Sequence, residues 1–161
     1  MNRSYISAVL LGGSVAGALD IIFAISFAAY NGVGPVRLLQ TVASGLVGVT
    51  AFTGGVRVAG LGLALHFALS FLWASIFLGM ASRVPSLTRH PFVAGAAFGI
   101  IVFLAMRLAV LPLSAIPYPV SFKPLATTLD LLSHMLLFGV PIALATRRAL
   151  VGALAPETTG R

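Results

Sequence analysis

Four long apolar segments, separated by polar or proline-rich connections, set the pattern of the chain. They run over about residues 5–30, 57–81, 92–111 and 125–146. Each supplies about 20 or more predominantly apolar residues, the length that an α-helix needs to cross a bilayer. The pattern therefore predicts an all-α membrane protein, with a four-transmembrane-helix bundle as a single domain over residues 1–150. We expect residues 151–161 to form a disordered tail.

The connection between the first two spans has a helical pattern of its own over residues 36–49. Polar residues recur at i, i+3, i+4 and i+7 on one face, and apolar residues repeat the spacing on another. The polar set is Arg37, Gln40, Thr41 and Ser44, and the apolar set is Leu39, Val42, Ala43 and Leu46. The segment predicts an additional amphipathic interfacial helix on the outer surface. A plain surface connector is favoured over a lid hinged at Gly54 and Gly55.

The first span has a second interpretation. Arg3, the apolar run after it and the small residues Ala16-Gly17-Ala18 resemble a cleavable signal peptide. However, the apolar stretch continues to Tyr30, which is long enough to span a bilayer. We therefore favour a membrane span.

Charge distribution predicts the orientation of the bundle. Five arginines flank one side of the predicted spans, and three basic residues flank the other. The first set is Arg3, Arg83, Arg89, Arg147 and Arg148, and the second is Arg37, Arg57 and Lys123. Because Lys and Arg concentrate in cytoplasmic loops, both termini are predicted to be cytoplasmic.

Composition supports the membrane class and excludes others. The chain of 161 residues is 59% hydrophobic and only 8% charged, whereas a soluble domain carries about 25% charged residues. The net charge of +7 comes from basic residues that stand singly between apolar segments, so it indicates topology and not nucleic-acid binding. With no cysteine, disulfides and thiolate metal sites are excluded.

Five ionisable side chains inside the apolar spans are the strongest functional signal. They are Asp20, His66, Arg107, Asp130 and His134. A charge at the centre of a membrane helix costs about 2.5–3.5 kcal/mol on insertion scales, so such residues usually pair or line a wet cavity. We therefore propose them as candidates for a pocket that handles protons or a small ligand.

Counting residues along the spans predicts how these side chains are arranged. Asp20, His66 and His134 share a level near the bilayer midplane, and Arg107 and Asp130 form a shallower layer. An Arg107–Asp130 ion pair between sequential antiparallel spans is the least costly solution. Asp130 and His134 are four residues apart and so share one helix face. Two GxxxG pairs, Gly13/Gly17 and Gly95/Gly99, predict close helix packing.

Structural roles compete with these functional ones. Arg107 is close enough to a span end to reach the headgroups, and the Arg107–Asp130 pair can simply lock two helices together. Either histidine can be a hydrogen-bonded packing residue. Alternatively, His66 and His134 are weak candidates for metal ligands or for the axial ligands of a haem.

No sequence motif indicates catalysis. HExxH, GxSxG and Walker-type glycine patterns are absent from the sequence, and we expect the protein not to be an enzyme. The alternatives to a ligand or proton pocket are an accessory subunit of a larger membrane complex and a haem or metal carrier. Four short spans enclose only a thin-walled cavity, so we expect a homo-oligomer or a complex in the lipid bilayer.

The second half of the chain, residues 60–150, resembles the YagU-like family of small bacterial inner-membrane proteins. The resemblance lies in Leu65-His66-Phe67, Arg83-Val84-Pro85, Gly95 and Gly99, Leu111-Pro112-Leu113, Ser133-His134-Met135 and Arg147-Arg148. The first connection is shorter than in that family, and Arg107 stands where another polar residue is usual. The resemblance implies a bacterial cytoplasmic membrane location and supplies no reaction.

Overall fold

A computed structural model describes residues 3–152, and every regular element within them is helical. The helices are α1 (Arg3–Tyr30), α2 (Pro35–Val47), α3 (Gly55–Ala81), α4 (Ser86–Arg89), α5 (Pro91–Leu113) and α6 (Pro124–Gly152). A 3₁₀ helix, Gly48–Thr53, follows α2. Helices α5 and α6 each contain a π-helical segment, Met106–Val110 and His134–Gly139. The predicted all-α class is confirmed.

Five of these helices are long and apolar enough to cross a membrane. They include the four predicted spans, with mean hydropathy between 1.6 and 2.3, and also the segment Pro35–Thr53, with a value of 1.3. The protein is therefore a multi-pass membrane protein. By length and composition alone, α2 and its 3₁₀ extension also qualify as a span.

The helix boundaries differ from the predicted ones at several points. The short helix α4 lies in the connection before α5, which was predicted as a loop. Helix α5 begins at Pro91 and α6 at Pro124, because a proline in the first helical turn needs no hydrogen-bond partner. Helix α6 continues to Gly152, so the first two residues of the predicted tail are helical. Residues 153–161 of that tail lie outside the described residues.

The long helices pack as antiparallel neighbours. Helix α1 contacts α3 and α6, and α6 contacts α5. We call the half of the bundle that holds the start of α1 and the end of α3 the inner half, and the opposite half the outer half. The hydrophobic core occupies the inner half, where Phe77, Phe98, Phe138 and Ile142 are each less than 5% exposed. The outer half is left free for a cavity.

Glycines allow the closest helix approaches. A Cβ on Gly99 would collide with the carbonyl oxygen of His134, and one on Gly95 would meet the backbone of Gly139 and Val140. Helices α5 and α6 therefore touch backbone to backbone. Gly13 and Gly17 instead leave space for side chains of α3. Both GxxxG pairs are packing surfaces, as predicted.

Candidate functional site

A cavity of about 680 Å³ lies in the outer half of the bundle. Helices α1, α2, α3, α5 and α6 and the connection between α5 and α6 all contribute to its wall. Its volume falls within the range of about 300–1,000 Å³ that is usual for small-molecule sites. The buried aromatic core lies on the inner side of the cavity. In this core the ring centroids of Phe77 and Phe98 are 4.9 Å apart.

All five ionisable residues proposed from the sequence line this cavity. Asp20 comes from α1, His66 from α3, Arg107 from α5, and Asp130 and His134 from α6. Each is half-buried. Four separate helices thus bring the charged and titratable side chains of the apolar spans to one place.

Arg107 and Asp130 form the predicted ion pair. Arg107 donates to Asp130 Oδ2 through Nη2 at 2.9 Å and through Nε at 3.2 Å. Its third nitrogen, Nη1, donates to the backbone carbonyl of Ser121 in the connection before α6. The guanidinium therefore joins α5 to α6 and also holds the connection over the cavity. Its side chain is 15% exposed, so it does not extend to the surface as the headgroup interpretation requires.

His134 belongs to the same polar group. Its Nδ1 lies 2.9 Å from the backbone carbonyl of Asp130 and 3.2 Å from Asp130 Oδ1. Both atoms are acceptors, so Nδ1 carries a hydrogen and donates it. The predicted shared face of Asp130 and His134 is confirmed.

Asp20 and His66 are held by neighbouring helices. The hydroxyl of Ser133, on α6, donates to Asp20 Oδ1 over 2.7 Å. His66 Nε2 lies 2.9 Å from the carbonyl oxygen of Gly17 on α1. Since a carbonyl only accepts, this nitrogen is the donor and Nδ1 is the acceptor of the neutral ring. Each contact crosses between helices, so these residues also stabilise the bundle.

The two π-helical segments carry Arg107 and His134. The N–H of Leu111 bonds to the carbonyl of Met106, and the N–H of Val140 bonds to that of Met135, each five residues back. A proline follows directly in both cases, Pro112 and Pro141. Proline has no N–H to donate and its ring displaces the carbonyl four residues earlier, so the turn before it widens. Such widened turns are frequent at functional sites.

Helix α2 forms the roof of the cavity. Its residues Leu38, Thr41, Val42, Gly45 and Leu46 line the cavity. The roof is fixed at two points: Gln40 Nε2 donates to the carbonyl of Gly55 over 3.1 Å, and the N–H of Ala115 donates to the carbonyl of Gly45 over 2.9 Å.

The walls between the charged groups are mainly apolar. Trp73, Phe103, Tyr118 and Phe138 are the aromatic residues of the lining. The rings of Phe103 and Phe138 lie beside that of His134, with centroid separations of 5.8 and 6.0 Å. The site therefore combines a small polar group with a large apolar surface, which is typical of a pocket for an amphipathic molecule.

The metal and haem alternatives gain no support from this arrangement. Within residues 3–152, no group of three or more His, Asp or Glu side chains is placed to hold a metal ion. Each histidine directs one ring nitrogen to a backbone carbonyl. The contact of His66 joins α3 to α1, whereas that of His134 lies within α6.

Several groups at the site were not predicted from the sequence. Ser133 and the carbonyls of Gly17 and Ser121 carry no motif. Ser133 alone had a signal, because it is a hydroxyl residue beside His134 in an apolar span.

Comparison of the chain with protein-family models, with curated protein sequences and with solved structures gave no match. The resemblance to the YagU-like family therefore stays a prediction.

Proposed function

We propose that this protein binds a small amphipathic molecule within the membrane, in the cavity of its outer half. The observation that carries the proposal is that all five ionisable residues of the long apolar helices line one largely apolar cavity of about 680 Å³. Charged groups inside membrane helices are expensive, and they are typical of ligand or ion sites. The apolar wall takes the hydrocarbon part of the ligand, and the polar group around Asp20, Asp130 and His134 takes its head.

The closed inner half favours binding over free permeation. Phe77, Phe98, Val102 and Phe138 are buried in one packed cluster, and Val102 and Phe138 also line the cavity. This cluster separates the cavity from the inner side of the bundle. A molecule that enters from the outer half therefore reaches a closed floor.

We further propose that four helices cross the membrane and that α2 lies across the outer mouth. Gly13 packs on Phe71, and Gly17 packs on Phe67 and Ser70, so α1 and α3 run antiparallel. The end of α1 thus lies beside the start of α3, and α2 joins these two points on one side of the bundle. If α2 crossed the membrane, the end of α1 and the start of α3 would lie on opposite sides.

This topology and the arginine distribution support the proposal that both termini lie in the cytoplasm. The bacterial cytoplasmic membrane is the location that the resemblance to the YagU-like family implies. The cavity then faces the extracytoplasmic side. A ligand reaches it from that side or from the outer leaflet of the bilayer.

The proposal is tested by native mass spectrometry on protein extracted in a mild neutral detergent. Ala24 lines the cavity, whereas Ala68 is exposed on the outside of α3. Ala24→Trp fills the cavity without removing a polar group, and Ala68→Trp adds the same side chain on the lipid-facing surface.

We expect a bound small molecule on the unmodified protein and on Ala68→Trp, and its loss from Ala24→Trp. Equal retention by both tryptophan variants would contradict binding in the cavity. Protein that carries another polypeptide and no small molecule would favour the accessory-subunit alternative.

A further inference from the structure

Most hydrogen-bond donors on the helices around the cavity are engaged within the bundle. Arg107 uses Nε and Nη2 on Asp130 and Nη1 on the Ser121 carbonyl. The hydroxyls of Thr41, Ser70 and Ser114 each donate to a helix carbonyl three or four residues back. The three hydroxyls therefore have no hydrogen left for a ligand, and Arg107 keeps one unassigned hydrogen on each of Nη1 and Nη2.

The indole N–H of Trp73 is also unpaired, but it is out of reach. Its Nε1 is a buried atom without a hydrogen-bond partner among the described residues. An atom with less than 1 Å² of exposed surface cannot be approached from the cavity. The donor is enclosed in the wall and does not select the ligand.

Acceptors, by contrast, remain available. Asp20 Oδ1 accepts from Ser133, and within residues 3–152 its other oxygen, Oδ2, has no hydrogen-bond partner. His134 donates through Nδ1 and His66 through Nε2, so their second nitrogens are acceptors when the rings are neutral. The helices thus present a carboxylate oxygen and two imidazole nitrogens to whatever enters.

The formal charge of the cavity lining is negative, which agrees with the available acceptors. Asp20 and Asp130 are its two carboxylates, and Arg107 is the one Lys or Arg among its described lining residues. With neutral histidines, one negative charge is left without a compensating cation. Arg107 is committed to Asp130, so the uncompensated carboxylate is that of Asp20. Ser133, which holds it, directly precedes His134 in α6.

The aromatic wall suits a positive group as well. Trp73, Phe103, Tyr118 and Phe138 line the cavity. The face of an aromatic ring attracts a cation, and it also packs against an apolar ligand body.

We propose that the ligand of this cavity is an organic cation, a protonated amine or amidine on an apolar body. Its N–H groups donate to Asp20 Oδ2, and its charge balances Asp20. This assignment rests on the proposed function and adds the chemical class of the ligand.

The test compares three ligands with one carbon skeleton: 4-phenylbutylamine, 4-phenylbutan-1-ol and 4-phenylbutyrate. Their affinities for the purified protein in neutral detergent at neutral pH are measured by isothermal titration calorimetry, with empty micelles as the blank. The same titrations on Asp20→Asn remove the charge and keep the shape of the side chain. Thermal melting establishes that the variant is folded.

We expect the amine to bind at least about tenfold more tightly than the alcohol, and the carboxylate to bind more weakly than both. In Asp20→Asn the preference for the amine over the alcohol disappears. Binding of the alcohol or carboxylate as tightly as the amine would overturn the cation assignment and leave the binding function intact. A failure of all three ligands to bind would overturn both. The ligand series on the unmodified protein decides between these outcomes even if the variant does not fold.

Discussion

The Arg107–Asp130 ion pair makes a quantitative prediction about the stability of the bundle. It joins α5 to α6 through two hydrogen bonds to one carboxylate oxygen, at 2.9 and 3.2 Å. Breaking a fully buried pair costs about 3–5 kcal/mol, because one charge is left behind in a low dielectric. Here Asp130 is 35% exposed and Arg107 15% exposed, so solvent reduces the loss.

For Arg107→Gln we therefore expect a loss of about 1–2 kcal/mol in the free energy of unfolding. For Asp130→Asn we expect a larger loss, about 2–3 kcal/mol, since it leaves the more buried guanidinium unpaired. The double variant replaces the ion pair by two neutral amides that can bond to each other. It should be more stable than the two single losses predict, by about 1–2 kcal/mol.

The assay is reversible unfolding in mixed micelles, in which sodium dodecyl sulfate is titrated and helix content is followed by circular dichroism. Arg57→Gln serves as the matched control, because Arg57 is exposed at the start of α3 and its loss should change stability by less than about 0.5 kcal/mol. Strictly additive losses in the double variant would refute the pair as an energetic link between the helices. A control as damaging as Arg107→Gln would show that the effect is not specific to the pair.

Two further predictions concern packing and topology. Gly99→Ala should destabilise the protein by about 1–3 kcal/mol or more, because its Cβ meets the backbone of His134; Gly60→Ala, whose Cβ meets nothing within 4 Å, should be neutral or stabilising by up to about 1 kcal/mol. Equal effects in the same unfolding assay would contradict the close approach. For the topology, single cysteines replace Asn31 and Thr53, which lie before and after α2 in the chain. Both should react with a membrane-impermeant maleimide from outside intact cells. Labelling of only one would show that this segment crosses the membrane.

The sequence predicted the features that depend on periodicity and depth. The four apolar spans follow from length alone, and the Arg107–Asp130 pair follows from counting residues along antiparallel neighbours. The contact of Asp130 with His134 follows from their spacing of four on one helix. These features need no knowledge of how the helices pack around one another.

The remaining features depend on tertiary contacts or on backbone atoms. His66 bonds to the carbonyl of Gly17, and every residue has such a carbonyl, so no residue type indicates it. The partnership of Ser133 with Asp20 depends on the rotation of α6 against α1. The π-helical segments had a partial signal in Pro112 and Pro141, since a proline disturbs the turn before it. It did not indicate that the disturbed turns would hold Arg107 and His134.

Both proposals require a cavity that water can enter, and cysteine labelling tests this requirement most directly. The chain contains no cysteine, so a single introduced thiol reports on its own position. Leu69 lines the cavity, and Ala68, the residue before it, is exposed on the outside of the bundle, where lipid surrounds it. A water-soluble maleimide should label Leu69→Cys in membranes and leave Ala68→Cys unlabelled, because only a thiol in contact with water ionises and reacts. Equal labelling of the two positions, or labelling of Ala68→Cys alone, would contradict a cavity between these helices.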